Sequence, residues 1–264
     1  MSTLPVYQTK VDSLPVNVYK NDEEMGRAAA AAVATVIQKA IAQKGAANII
    51  IATGNSQRSF LSALVMEKDI DWSKLSVFHM DEYVDLPPSH TASFPKFLQK
   101  HLLDHVKAAA FYPVKAKTGE LESDCADYAK LLRAHPADLC AMGIGENGHI
   151  AFNDPPFAEF KDPEWVKVIR LAQASRQQQV GEGHFKNIDE VPTHAVTLTI
   201  PALLAANSVL CIVPESRKAD AVLSTLTGPV TEDCPASILR TTPHAGLYLD
   251  ADAAAKYRAK AAGS

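Results

Sequence analysis

Short apolar runs alternate along this chain with longer stretches whose apolar residues recur at helical spacing. Residues 16–19 read as a short strand. Asn21-Asp22-Glu23-Glu24 then supplies a cap and three acids where a helix dipole favours them, opening a helix that runs to about Ala42. The run 47–52 predicts a strand, followed by a helix from Ser56 with Phe60, Leu61, Leu64 and Val65 on its apolar face. Strands are expected over 75–80 and 137–142, and helices over 93–106 and 120–133. Residues 166–171 alternate in strand fashion. The stretch 197–205 reads as a turn into a short helix, 209–213 as a strand, 216–226 as a helix, 235–239 as a helical turn and 245–249 as a last strand. Strands alternating with helices predict an α/β fold, with a parallel sheet covered on both faces. No Ser/Gly linker, low-complexity tract or repeat interrupts this order, so residues 1–264 are expected to form one domain.

Three strand exits carry the candidate chemistry. The strand ending at Met142 opens into Gly143-Ile144-Gly145-Glu146-Asn147-Gly148-His149-Ile150-Ala151-Phe152-Asn153-Asp154. Glycines let the backbone approach a ligand closely. His149 can move a proton near neutral pH, and Asp154 can orient it or act beside it. Alone, such a histidine would be structural; in a glycine-rich strand exit with an acid nearby it reads as a site. The strand ending at Met80 delivers Asp81-Glu82-Tyr83, and ligands of open parallel sheets gather at the carboxyl ends of strands. An isolated acid pair would be a cap or a solvated face; a third exit changes that balance. The strand ending at Ala52 runs into Thr53-Gly54-Asn55-Ser56 and a helix start, a place suited to a phosphate. A simple cap is the plainer reading of Ser56.

Composition narrows the classes. The chain has 264 residues, 47% of them hydrophobic, and a formal net charge of −4, which argues against a nucleic-acid surface. Met1-Ser2-Thr3-Leu4-Pro5 lacks the pattern of a signal peptide, and the alanine-rich stretch 28–34 is too short to span a membrane. Cys125, Cys140, Cys211 and Cys234 form no CxxC pair and read as reduced thiols of a cytoplasmic protein. No histidine or cysteine spacing suggests a zinc site.

Four motifs in order, Thr53-Gly54-Asn55-Ser56, Met80-Asp81-Glu82-Tyr83, Gly148-His149-Ile150-Ala151-Phe152-Asn153-Asp154 and Ser216-Arg217-Lys218-Ala219, resemble the glucosamine-6-phosphate deaminases. The resemblance spans roughly residues 16–249. That family belongs to the superfamily of 6-phosphogluconolactonases, whose fold is similar to ribose-5-phosphate isomerase. The resemblance therefore implies a three-layer α/β/α fold with a central, mostly parallel sheet. MDEY followed by GHIAFN marks the deaminase branch; the DER and GxDGHxAS patterns of the lactonase branch are absent.

The resemblance implies conversion of an aldose 2-amino sugar phosphate into a ketose phosphate and ammonia, with no cofactor. Asp81 matches the family's proton-shuttling carboxylate, and Glu82 is expected to support its loop. His149 matches the ring-opening base, with Asp154 as its acidic partner. The family often carries Asp where this chain has Asn147, and often Glu where it has Asp154. Asn147 can hydrogen-bond but lends no negative charge to the imidazole, which bears on ring opening. Thr53, Gly54, Asn55 and Ser56 match the phosphate loop, Lys218 the phosphate lysine, and Arg176 an arginine of a mobile lid around 167–190. Without the resemblance, Arg176 would read as a solvated loop arginine. A sugar phosphate is thus the expected partner, and a homo-oligomer is left open. Some relatives place a serine three residues after the acid matching Asp154 to bind an allosteric activator; Phe157 stands there, which predicts no such activation. The alternatives are a lactonase or other sugar-phosphate hydrolase, the galactosamine epimer as substrate, and a silent sugar-phosphate sensor.

Overall fold

The computed structural model describes residues 4–155 and 157–263; Met1, Ser2 and Thr3 of the leader reading lie outside them. The chain opens with a hairpin, β1 (Tyr7–Val11) and β2 (Leu14–Tyr19), turning through Asp12 at φ +51°. The sequence analysis missed β1, whose half-buried alternation is weak. Helix α1 (Asp22–Lys44) starts where the cap was expected: the Asn21 side chain accepts from the Glu24 N–H at 2.8 Å. It ends at Gly45, in left-handed conformation, whose N–H donates to the Ile41 carbonyl. Then come β3 (Ala47–Ile51), α2 (Arg58–Leu64), β4 (Leu75–His79), a short β5 (Asp81–Tyr83), α3 (Phe94–Leu98), β6 (Ala110–Tyr112), α4 (Leu121–Ala134) and β7 (Leu139–Met142). The second half holds β8 (Val166–Arg170), α5 (Gln173–Gly181), β9 (His194–Leu198), α6 (Ile200–Leu204), β10 (Val209–Val213), α7 (Ala219–Thr227), β11 (Ala245–Asp250) and α8 (Ala255–Ala262).

Eight strands form one sheet in the order β1-β2-β11-β10-β7-β3-β4-β6. All neighbours are parallel except the β1–β2 edge. Every residue of β10, Val-Leu-Cys-Ile-Val, is buried, as a strand covered on both faces requires. One face packs against α1, α2 and α3 through Val33, Ile37, Phe60, Leu61 and Leu98. The other meets α4, α6, α7 and α8 through Tyr128, Leu132, Leu203, Val222 and Tyr257. This is the three-layer α/β/α arrangement. The four cysteines are free, and Cys140 and Cys211 lie in the sheet as small apolar residues.

A second, antiparallel sheet of β5, β9 and β8 was not foreseen. It encloses a small core of Tyr83, Phe152, Ile169, Phe185 and Ala195. The stretch read as a turn before a helix is in fact β9; Thr199 then caps α6, its hydroxyl accepting from the Ala202 N–H. Among the described residues, no helix is long and apolar enough to cross a membrane.

Candidate active site

The neighbouring strands β10, β7, β3 and β4 all end on the same edge of the sheet, and the loops beyond them meet in one cleft. Thr53, Gly54 and Ser56 line it from the end of β3, Asp81 from β4, Gly145 and His149 from β7, and Lys218 from β10. Six of the sequence-selected residues thus share one wall-to-wall space. Asn147 and Asp154 stand directly behind His149. Asn55 and Arg176 are not among the residues that line the cleft.

Asp81 begins β5, where pairing with Thr197 of β9 fixes its backbone. Its side chain is buried yet faces the cleft. Burial, and secondarily the neighbouring Glu82, push its pKa from 3.8 to about 8. Glu82 points elsewhere. Its carboxyl accepts from the Tyr83 N–H at 2.8 Å and the Ser93 hydroxyl at 2.9 Å, so it ties its own loop to the segment entering α3. Burial also raises Glu82, to about 7, against those hydrogen bonds.

The imidazole of His149 lies flat over Gly145: a Cβ added there would fall inside the ring. Its Nδ1 faces Asn147 Oδ1 at 2.7 Å, Asp154 Oδ1 at 3.0 Å and Ser175 Oγ at 3.3 Å. These acceptors place the hydrogen on Nδ1 and leave the Nε2 lone pair free to take a proton. Asn147 holds the group together. Its Oδ1 also accepts from the His149 N–H at 3.1 Å, and its Nδ2 donates to Asp154 Oδ1 at 2.9 Å. An aspartate at position 147 could not make that last bond. Asp154 is fully buried. Burial alone would raise its pKa, but the bonds from His149, Asn147 and Ser175 hold it below the ordinary range, so it remains a carboxylate. The negative charge that Asn147 cannot provide therefore reaches the ring from Asp154.

Ser175, missed in the sequence, donates to Asp154 at 2.5 Å from the first turn of α5. The polar stretch expected to be a lid thus carries a helix, and that helix touches Asp154. Arg176 does not turn toward the cleft. Its Nη2 donates to the carbonyls of Ile188 and Val191 at 2.6 and 2.8 Å, bracing the far side of the same segment. Asn55 also serves this segment, its Nδ2 reaching the Glu182 carbonyl at 3.4 Å.

Lys218 sits in a 3-10 turn, Ser216–Lys218, where a plain helix start was expected, and is 3% exposed. Before it, Glu215 takes φ +81°, a strained conformation for a non-glycine residue. Two bonds fix it there: its N–H donates to Asp250 Oδ2 and its carbonyl accepts from the Lys218 N–H. Burial lowers the Lys218 pKa, partly offset by Glu182. Gln57, also missed, lies buried next to the loop 53–56 and donates to the Ile212 carbonyl at 3.1 Å. Among the described residues no group of three or more His, Cys, Asp or Glu could hold a metal ion.

Comparison with known proteins gives the family. The model of a family described as glucosamine-6-phosphate isomerases/6-phosphogluconolactonase matches residues 20–247. Glucosamine-6-phosphate deaminase of Bacillus cereus (strain B4264) is 33% identical over 236 residues, covering 89% of this chain and 86% of the relative. The solved structure of a monomeric glucosamine-6-phosphate deaminase superposes with a TM-score of 0.83 at 26% identity, covering 91% of this chain and 99% of that one. The 6-phosphogluconolactonase of Trypanosoma brucei shares the fold, with a TM-score of 0.75 at 18% identity over 94% of this chain and 99% of its own.

Proposed function

The chain belongs to the family of glucosamine-6-phosphate isomerases and 6-phosphogluconolactonases, and we infer that it converts glucosamine 6-phosphate and water into fructose 6-phosphate and ammonia. One observation carries this reading. A buried carboxyl, Asp81, shares a cleft with a histidine whose free nitrogen is backed by a buried carboxylate. Lactone hydrolysis needs a base toward water and would leave Asp81 idle; aldose–ketose isomerisation needs two separate proton movements.

In this reading His149 Nε2 takes the proton of the C1 hydroxyl as the ring opens and then passes it to the ring oxygen, which becomes the C5 hydroxyl. The imidazolium so formed is stabilised by Asp154 through Nδ1. Asp81 then removes the proton from C2 and returns it to C1 while a proton passes from the nitrogen to O1, turning the open-chain aldose into a C2 imine. Water adds at C2 and the nitrogen leaves as ammonia. The substrate's ammonium favours ionisation of Asp81 when it binds, since a nearby cation stabilises the carboxylate. Lys218, with Thr53, Gly54 and Ser56, holds the phosphate end. Every one of these groups comes from a single chain, so no second copy is needed to complete the cleft. The four free thiols and a phosphorylated substrate suit the cytoplasm.

The test is a panel assay. Glucosamine 6-phosphate should release ammonia and fructose 6-phosphate in equal amounts, galactosamine 6-phosphate should do so far more slowly, and 6-phosphogluconolactone should hydrolyse no faster than in buffer. Lactone turnover without ammonia release would replace this reading with the lactonase one.

A further inference from the structure

The lid presents the wrong charge to the phosphate end. Glu182, one residue past α5, lines the cleft beside Lys218, and its side chain is only 6% exposed. Its Oε1 accepts from Arg217 Nη1 at 2.9 Å and Gln178 Nε2 at 2.7 Å, and its Oε2 lies 3.3 Å from His184 Nε2. The carboxylate therefore sits in a cradle of donors such as an anionic ligand would use. Although burial opposes ionisation, those bonds with Arg217 and Lys218 hold its pKa at about 2.

Arg217 is the second half of the observation. It stands next to Lys218 in the turn after β10, behind Glu182 and not itself on the lining of the cleft, and its partners are acids: Glu215 through Nε, and Glu182 and Glu146 through Nη1. Around Lys218 there are thus three carboxylates, Glu146, Glu182 and Glu215, against two cations. A phosphate dianion entering this corner meets a net negative charge unless one carboxylate leaves. Only Glu182 is placed to leave. Glu146 belongs to the loop that positions His149, and Glu215 is fixed in a strained turn. Glu182 is flanked by Gly181 and Gly183; Gly183 adopts φ +78°, and a Cβ at either would meet no atom within 4 Å. Backbone freedom is greatest where the charge must move.

We propose that Arg217 is the phosphate-binding arginine of this cleft and that Glu182 is a resident anion which the substrate's phosphate displaces from it. The inference rests on the sugar-phosphate reading of the cleft. It makes Arg217 and Glu182 specificity-determining residues: the first adds a bidentate fork beside Lys218, and the second excludes ligands whose anionic group is too weak to take its place. Arg176, braced against Ile188 and Val191, is not needed for this task.

Calorimetric titration with inorganic phosphate tests it on the full chain and three variants, each first checked for an unchanged thermal melt. E182Q keeps the size of the side chain and removes its charge; it should bind phosphate about tenfold more tightly than wild type. R217A should bind it at least tenfold more weakly, as should K218A, since a charged hydrogen bond is worth about 1.5–3 kcal/mol. Combining E182Q with R217A should abolish most of the gain from E182Q, because the two side chains compete for one partner. Phosphate should also speed amide exchange over residues 178–184 in wild type as Glu182 departs. E182Q binding phosphate no better than wild type, with K218A still impaired, overturns the displacement. R217A binding as wild type overturns the arginine's role. K218A binding as wild type is a different failure, because it removes phosphate from the cleft and with it the functional reading.

Discussion

Asp81 is a carboxyl group that the fold keeps protonated, and this has a sign that can be measured. Its ordinary pKa of 3.8 rises to about 8 in the folded chain, first through burial and then through Glu82. Between about pH 4 and pH 8 the unfolded chain has lost a proton that the native chain still holds. Stability therefore falls as pH rises through that window and levels off above it. Asp81→Asn should be more stable than wild type by on the order of 2–4 kcal/mol at pH 8, with the gap closing toward pH 4 in urea melts. A gap that does not change with pH would show that the carboxyl is not raised. The same substitution should cut ammonia release by roughly 10²–10⁴ while leaving inorganic phosphate binding intact; near-normal turnover would take the proton shuttle away from Asp81. In wild type, kcat/KM should climb with pH toward 8 as the carboxylate forms, with an apparent midpoint that belongs to the Asp81–Glu82 pair. Position along the chain was enough to bring Asp81 and His149 to the cleft, because both lie at strand ends whose apolar runs are unmistakable. It misplaced Arg176, because on a helix within a polar segment only the tertiary partners, here the carbonyls of Ile188 and Val191, decide which way an arginine turns. It passed over Arg217 beside Lys218 for the same reason.

Elements that bury a continuous apolar run or a full helical face were legible; those stabilised by a neighbour were not. The strands β3, β4, β7, β10 and β11 carry their own signal, and α1 carries both caps. Strands β5 and β6 are three residues long and exist because a partner strand completes them. Helix α5 is rich in glutamine, with Ser175 its buried residue, so its sequence resembles a loop. The expected helix over 93–106 begins as α3 and continues as a wider π turn, Gln99–Leu103, which periodicity does not distinguish. The element with the tightest tolerance is the loop after β7. Gly145→Ala would drive a methyl group into the imidazole of His149. Turnover of cyclic glucosamine 6-phosphate should fall about 10²-fold, as expected for an angstrom-scale displacement of a catalytic group. A substrate analogue that cannot close a ring should lose much less, and so should it with His149→Gln. Equal losses on both substrates would move His149 to a later step.

Across the whole molecule, the surface around Phe157 bears on its kinetics. Phe157 stands 41% exposed where a hydroxyl would be needed for an activator's phosphate, and the nearby Lys167 is already paired with Asp162 at 2.5 Å. Substrate saturation should be hyperbolic, and N-acetylglucosamine 6-phosphate should act only as a competitor; sigmoidal curves that this sugar makes hyperbolic would refute the expectation. The strand order has a consequence of another kind, for synthesis. β2 is synthesised before all but one of the strands described, yet its parallel neighbour β11 is synthesised after all the others. Until residues 245–250 emerge, the β1–β2 hairpin has no place in the sheet. Meanwhile β10, apolar on both faces, offers a bare edge to any passing chain. Assembly of that half of the sheet must wait for residues 245–250. A ribosome that stops a few residues short of Ala245 should therefore release an insoluble product for proteolysis rather than a weakened enzyme, although every side chain of the cleft has already been synthesised.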